Sequence, residues 1–255
     1  MPANIEKTLL VFAGALTIAL FIIVAPILSL YIIVPPQGYA EFFGSNAQIF
    51  TVARKALITS ITAATASTIL LLVLGIPSAY VLARTEFPGK KIVEALIDIP
   101  LLIPHIVVGI ILLLTFGPRG PINLHIMDTF NGIILAMTYV SLPIMFDTLK
   151  IGFKTVNEEL ELVARSLGAS KIKAFTTITL PLIKRNILAG SLLTWARAMS
   201  EVGSILIIAY YPKTINIVIL EAFQTYGLKY AAILSAVLIT ISLIVFIALR
   251  MVYRE

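Results

Sequence analysis

The sequence predicts an all-α integral membrane protein with six transmembrane helices, and three observations predict it. Of the 255 residues, 59% are hydrophobic and only 13% charged, whereas a soluble domain covers its surface with about a quarter charged residues. The mean hydropathy is +1.02. Six apolar segments of the length that lipid demands, about 20 residues each, are set apart by polar stretches. They are Leu9–Val34, Thr51–Ala83, Ile92–Phe116, Asn131–Leu149, Leu182–Tyr210 and Lys229–Val252.

The first segment exceeds the 7–15 apolar residues of a secretory leader, and no small-x-small site precedes "VPPQG", so an uncleaved anchor is expected. The second carries Thr59, Ser60, Thr62, Ala63, Ala64, Ala66 and Ser67, small residues whose spacing permits close helix approach. The third holds Pro100 and Pro104, and Pro77 and Pro143 interrupt the second and fourth. Each proline frees backbone groups that lipid tolerates only where protein or a wet cavity compensates. The pair in the third segment favours a mobile or gate-lining helix, which His105 would line as a neutral donor or simply pack within. Asp98 and Asp147 fall near segment ends and read as interfacial or packing groups.

Lys and Arg set the orientation. With six spans, 13 of the 19 lie on the side shared by both termini: Lys7, Arg84, Lys90, Lys91, Lys150, Lys154, Arg165, Lys171, Lys173, Lys184, Arg185, Arg250 and Arg254. Both termini are therefore expected to be cytoplasmic. The net charge of +6 follows from that asymmetry and says nothing of an anionic substrate.

The chemistry available to the chain is narrow. Cys is absent and His numbers two, which removes disulfides, thiolate metal sites and most nucleophile or metal sets. No metalloprotease or phosphate-loop pattern occurs. In "EFPGKK" the Gly89-Lys90 pair is followed by Lys91 rather than Ser or Thr. No nucleic-acid partner is implied.

Between the fourth and fifth segments lies the polar stretch "NEELELVARSLGASKIKAFTTITLPLI". Leu160, Val163, Ala164 and Leu167 share one helical face. Asn157 or Thr155 would cap its start, with Glu158 and Glu159 at the positive end of the dipole. Gly168 ends it. Ser170 would cap a second short helix, with Ile172, Phe175 and Thr179 on one side, closed by Pro181. On pattern alone the stripe suits burial among lipid headgroups or docking to a protein.

"ELVARSLGASKIKAFTTITLP" resembles the cytoplasmic EAA coupling loop of ATP-binding-cassette importer permeases. Ala164, Gly168, Ile178, Leu180 and Pro181 stand in register with it. Leu162 and Val163 occupy the motif's glutamate and first alanine, and Glu161 lies one residue earlier. "GIPSAYVLARTEFPGK", "IDIPLLIPHIVVGI" and "WARAMSEVGSILIIAYYP" look similar to the molybdate/tungstate branch, with sulfate permeases as near relatives. The resemblance implies a single permease domain over residues 1–255. Within it fall an anchor helix at 9–34, a transmembrane core at 54–252 and a coupling loop at 157–181. It further implies a homodimer in the cell membrane, two ATPase subunits that bind ATP and Mg, and an external oxyanion-binding protein. This chain itself would bind no cofactor and hydrolyse nothing. Sulfate or thiosulfate is the nearest alternative cargo. A self-contained secondary transporter or channel is the alternative of another class, and would call for an internal repeat that is not evident.

In the fifth segment Arg197 and Glu201 lie four apart and share a helix face. A lone charge at a helix centre costs about 2.5–3.5 kcal/mol on insertion scales, so the two are expected to pair facing the bundle or a cavity. Fixing the helix rotation and lining the substrate path are both open to them. Ser200 and Ser204, flanking Glu201, would offer hydroxyls to an oxyanion.

Overall fold

The computed structural model describes residues 2–252, and the side chains within that range other than those of residues 2–8, 249 and 252. The side chain of Lys7, and Arg254, expected on the cytoplasmic side, lie outside the described residues. Every regular element among the described residues is helical. Among the described residues four helices are long and apolar enough to cross a membrane, Leu9–Ile33, Gln48–Arg84, Phe130–Thr155 and Leu228–Ala248, and a bent pair, Lys90–Leu102 with His105–Phe116, would make a fifth span if it crosses as one.

Contacts divide the chain into two compact units. One comprises the residues up to Thr51 together with Ile219–Thr240. In it α1 (Pro2–Ile33) leads to α2 (Pro36–Gly44), which begins with proline where the missing N–H costs nothing. The last helix, α13 (Leu228–Val252), contributes its first half. A Cβ on Gly38 would lie 3.0 Å from the Ile233 side chain, so α2 and α13 meet closely. Phe42 is fully buried and stacks edge-on against Phe50, and Tyr31 hydrogen-bonds Thr240 at 2.9 Å.

The other unit, Val52–Val218 with the residues from Ile241, holds the groups that carry chemistry. Its long helix α3 (Gln48–Arg84) runs 37 residues, about 55 Å. Thr59, Thr62, Thr65 and Thr68 return their hydroxyls to carbonyls four residues back, which keeps polar groups satisfied inside an apolar helix. Three α3 hydroxyls reach outward. Ser60 accepts from the Ile215 N–H, Thr65 from the Trp195 indole, and Ser67 from Thr138.

The expected third and fifth segments are not single helices. Residues 92–116 resolve into α4 (Lys90–Leu102) and α5 (His105–Phe116), bent by 117°. Pro104 forces this break: the ring disfavours helical backbone at the residue before it, and Ile103 is extended at φ −89°, ψ 131°. After α6 (Phe130–Thr155), capped by Thr129, the polar stretch forms α7 (Glu158–Ser166), α8 (Lys171–Ala174), a π-helical turn over Phe175–Thr179 and α9 (Leu180–Leu182). Residues 182–210 then resolve into α10 (Lys184–Met199) and α11 (Gly203–Ile208), separated at Ser200–Val202. A further helix, α12 (Ile215–Tyr226), precedes α13, and the left-handed Gly227 between them (φ +82°) turns the chain.

Pro181 does not close the second short helix as expected. The chain widens into the π turn, where Leu180 N–H reaches back five residues to Phe175 O. That widening accommodates the missing proline N–H and its ring, and helical backbone continues to Leu182.

Helices α6 and α10 pack through their glycines. A Cβ on Gly152 would lie 2.6 Å from Asn186 Cβ, and one on Gly190 3.3 Å from Met145 Sδ. Small residues at such crossings let transmembrane backbones approach. Gly152→Val is therefore expected to lower the Tm of the protein in lipid nanodiscs, by an overpacking strain of about 1–3 kcal/mol. Asn186→Gly in the same chain should recover most of that loss. Unchanged stability in the single variant would show that the two helices yield at this contact.

Candidate functional site

Two carboxylates organise the chemistry of the larger unit. The first is Glu201. It lies just beyond the end of α10, and it is completely buried. A buried charge persists only when its lone pairs are met, and here they are. Oε1 accepts from the Ser204 N–H and hydroxyl, both at 2.8 Å. Oε2 lies 3.2 Å from Arg197 Nη1 and 3.0 Å from His105 Nδ1.

The expected pairing of Arg197 with Glu201 is thus present, although the helix ends between them. It survives because Ser200 closes the last turn, its N–H bonded to Ala196 O, while Glu201 N–H bonds to Ala198 O. His105 joins through space from the first turn of α5. Arg197 Nη2 lies 2.7 Å from its Nε2. A guanidinium only donates, so Nε2 accepts and Nδ1 carries the hydrogen that points at Glu201. Ser200 Oγ receives Arg197 Nη1 at 3.3 Å and donates to the Arg197 carbonyl at 2.8 Å. The serines are therefore engaged with their neighbours, Ser200 with Arg197 and Ser204 with Glu201. The His105 side chain is 45% exposed and that of Arg197 19%. The donors face outward and the carboxylate sits behind them.

Backbone contacts hold this arrangement. A Cβ on Gly203 would lie 2.7 Å from His105 Cβ, and one on Gly109 2.7 Å from the Ser204 carbonyl, so α5 and α11 cross nearly in backbone contact. Asn216, which periodicity did not single out, donates its amide to Met199 O at 2.8 Å and Glu201 O at 3.2 Å. It ties off carbonyls that the broken helix leaves free.

The second carboxylate is Glu161 on α7. Its side chain is 13% exposed and turned inward. Thr179 donates to Oε1 and Tyr80 to Oε2 at 2.7 Å, while Arg84 Nη2 stands 3.7 Å away. Arg84 also binds Glu158 at 3.2 Å and Val156 O at 2.8 Å. Nothing in the local pattern announces Tyr80 and Arg84, which come from the end of α3. Rings of Tyr80, Phe153 and Phe175 stack around the same point. Phe175 and Leu180 lean on a core that includes Leu82, Phe153 and Ile183.

The capping expected for this stretch is present. Asn157 accepts from Glu159 N–H and Ser170 from Lys173 N–H. Gly168, left-handed at φ +94°, closes α7 with two reverse bonds, Ala169 N–H to Ala164 O and its own N–H to Arg165 O, both 3.0 Å. Phe175 and Thr179 pack inward, Ile178 and Ala164 are half-buried, and Pro181 is exposed. Ile172 departs from the expected face and is 76% exposed. With Leu160, Val163 and Leu167 it forms an apolar strip on α7 and α8, Leu167 being 83% exposed.

Elsewhere, Lys150 bridges Asp147 at 2.9 Å and Glu94 at 3.5 Å, joining α4 to α6 as packing groups do. No cluster among the described residues has the make-up of a metal site.

Known proteins bear on both regions. The chain is 47% identical over 196 residues to a molybdate/tungstate transport system permease protein of Thermococcus kodakarensis, covering 77% of each chain. It is 45% identical over 199 residues to that of Methanocaldococcus jannaschii, covering 77% of this chain and 80% of the relative. A sulfate transport system permease protein of Synechocystis is 31% identical over 193 residues, covering 71% and 68%. The fold is shared with a bacterial ABC transporter involved in alginate import, at TM-score 0.74 and 18% identity over 99% of this chain and 97% of that one. The binding-protein-dependent transport system inner membrane component family matches residues 72–255, and the chain, a multi-pass membrane protein, belongs to that family.

Proposed function

We propose that this chain is the transmembrane subunit of an ATP-driven importer that carries molybdate and tungstate, delivered by an external binding protein. The observation that carries the reading is the apolar strip of α7 and α8. Capped and braced from behind, it presents Val163, Leu167 and Ile172 outward at the basic end of the helices. An exposed apolar surface of this kind, rimmed by charge, marks a partner site. In the proposed assembly two copies of the chain each insert this coupling loop into a separate ATPase subunit, which binds ATP and Mg.

Within that loop, the proposed role of Glu161 is to hold α7 rigid rather than to touch the ATPase. Gly168 makes the turn, and Ile178, Leu180 and Pro181 anchor the return into α10. The relatives of about 45–49% identity named for molybdate/tungstate favour those dianions over sulfate, whose named relatives stand at 31% and 35%. The proposed topology keeps six crossings, with the bent pair α4–α5 and the broken pair α10–α11 each serving as one. Both termini are then cytoplasmic. Arg197, His105, Ser200, Glu201 and Ser204 line the proposed path or its gate.

Three measurements test this reading. The purified chain alone should show no ATPase activity, and vanadate-sensitive hydrolysis should appear only with a separate ATPase subunit. Hydrolysis by the isolated, contaminant-free chain would refute it. Native mass spectrometry should find two copies of the chain with two ATPases. A complex of one and one that still transports would overturn the dimer.

Gly168 tests the loop. A Cβ there meets nothing within 4 Å, so a side chain is penalised only by the left-handed backbone, about 1–2 kcal/mol. Gly168→Ala and Gly168→Asp should both insert and dimerise, with the aspartate variant losing ATPase binding more completely. Wild-type uptake by Gly168→Asp would leave the loop as a membrane-surface element.

A further inference from the structure

The geometry points to Glu201 as an internal stand-in for the transported anion, occupying the donors that the oxyanion takes when it passes. The inference rests on the reading that this chain carries oxyanions, and it assigns them a site. Arg197 is the donor of that site on its open side, with His105 and Ser200 at the rim and Glu201 filling it from behind.

Three features carry it. The first is the arrangement of exposure. Glu201 is fully buried, whereas Ser200 and His105 are exposed and Arg197 is partly so. A tetrahedral dianion entering from the open side meets the guanidinium first, and guanidinium is suited to bidentate capture of oxyanions. The Arg197 N–H groups cannot serve both a carboxylate and a dianion at full strength. The two anions compete.

The second feature is the anchoring of Glu201. Of its four donors, two come from Ser204 and one from His105 Nδ1. Surrendering Arg197 to a passing anion therefore leaves three contacts in place, and the carboxylate is not stranded in an apolar interior. The third is the chain break at Ser200–Val202, which leaves Arg197 in the last turn of α10, where the guanidinium can turn toward an incoming ligand without unwinding a continuous helix.

The test is equilibrium binding of sodium tungstate, with sodium sulfate alongside, to the full chain in lipid nanodiscs. In Glu201→Gln the amide oxygen faces the two Ser204 donors. Its NH2 then faces Arg197, donor against donor, so the guanidinium is released. Tungstate should bind this variant about tenfold more tightly than wild type, the loss of one competing charge-assisted bond. Arg197→Gln should abolish binding. Glu201→Asp, which keeps the buried charge but withdraws it from Arg197, should fall between wild type and Gln and guards against a misfolded amide variant.

Equal or weaker binding by both Glu201 variants, binding retained in Arg197→Gln, or binding by none of these proteins would overturn the proposal. ATP-driven tungstate uptake by the wild-type transporter in proteoliposomes reports separately on the importer reading. Uptake with unaltered Glu201→Gln binding sinks the stand-in alone. Tight binding by that variant without any wild-type uptake sinks the importer reading and leaves the anion site.

Discussion

A carboxylate without solvent must find its donors inside the protein, and Glu201 finds four. Meeting that demand shapes the larger unit. Ser204 can present both its N–H and its hydroxyl to one oxygen only if α11 starts anew after α10, so the helix must break. His105 can reach the other oxygen only if α5 starts beside it, and Pro104 makes that start. The glycine contacts at Gly109 and Gly203 then follow, because any side chain there would hold α5 and α11 apart. An insertion penalty of about 2.5–3.5 kcal/mol for a central charge is thus turned into a specification of where one helix ends and two begin.

The polar end of the molecule obeys the same rule with different partners. Glu161 is drawn inward by a phenol, a hydroxyl and a guanidinium, and this fixes which side of α7 faces away. Val163 and Leu167 are exposed because Glu161 is not. An amphipathic helix normally buries its apolar stripe. Here an acidic residue takes the inner position and the stripe is left outside.

Local signals were legible in the sequence and distant ones were not. Asn157, Ser170 and Gly168 act on backbone within a few residues, so their capping roles could be read from order alone. The spacing of Arg197 and Glu201 likewise announced a pair. The number of unbroken spans could not be read in this way. An apolar run continues through Leu102–Pro104 and another resumes directly after Ser200 and Glu201, and hydropathy is blind to a break that is stabilised by contacts from elsewhere. Tyr80 reaches Glu161 across 81 positions, and His105 reaches Arg197 across 92, distances that no periodicity spans. The apolar stripe on α7 was legible, but its exposure was not, because that depends on where Glu161 points.

The length of α3 has a mechanical consequence. Its cytoplasm-proximal end, in the proposed orientation, grips α7 through Tyr80 and Arg84. About 30 Å away, Ser60 grips the start of α12, one residue before Asn216, whose amide holds the break beside Glu201. The helix therefore behaves as a strut with a clamp at each end. A push on α7 has two outlets: it tears α7 from Tyr80 and Arg84, or it displaces the strut as a body. Stiffness, more than any single bond, decides which of these a load of a few kcal/mol produces, and Pro77, which lacks an N–H, is the point between the two clamps where the helix yields first.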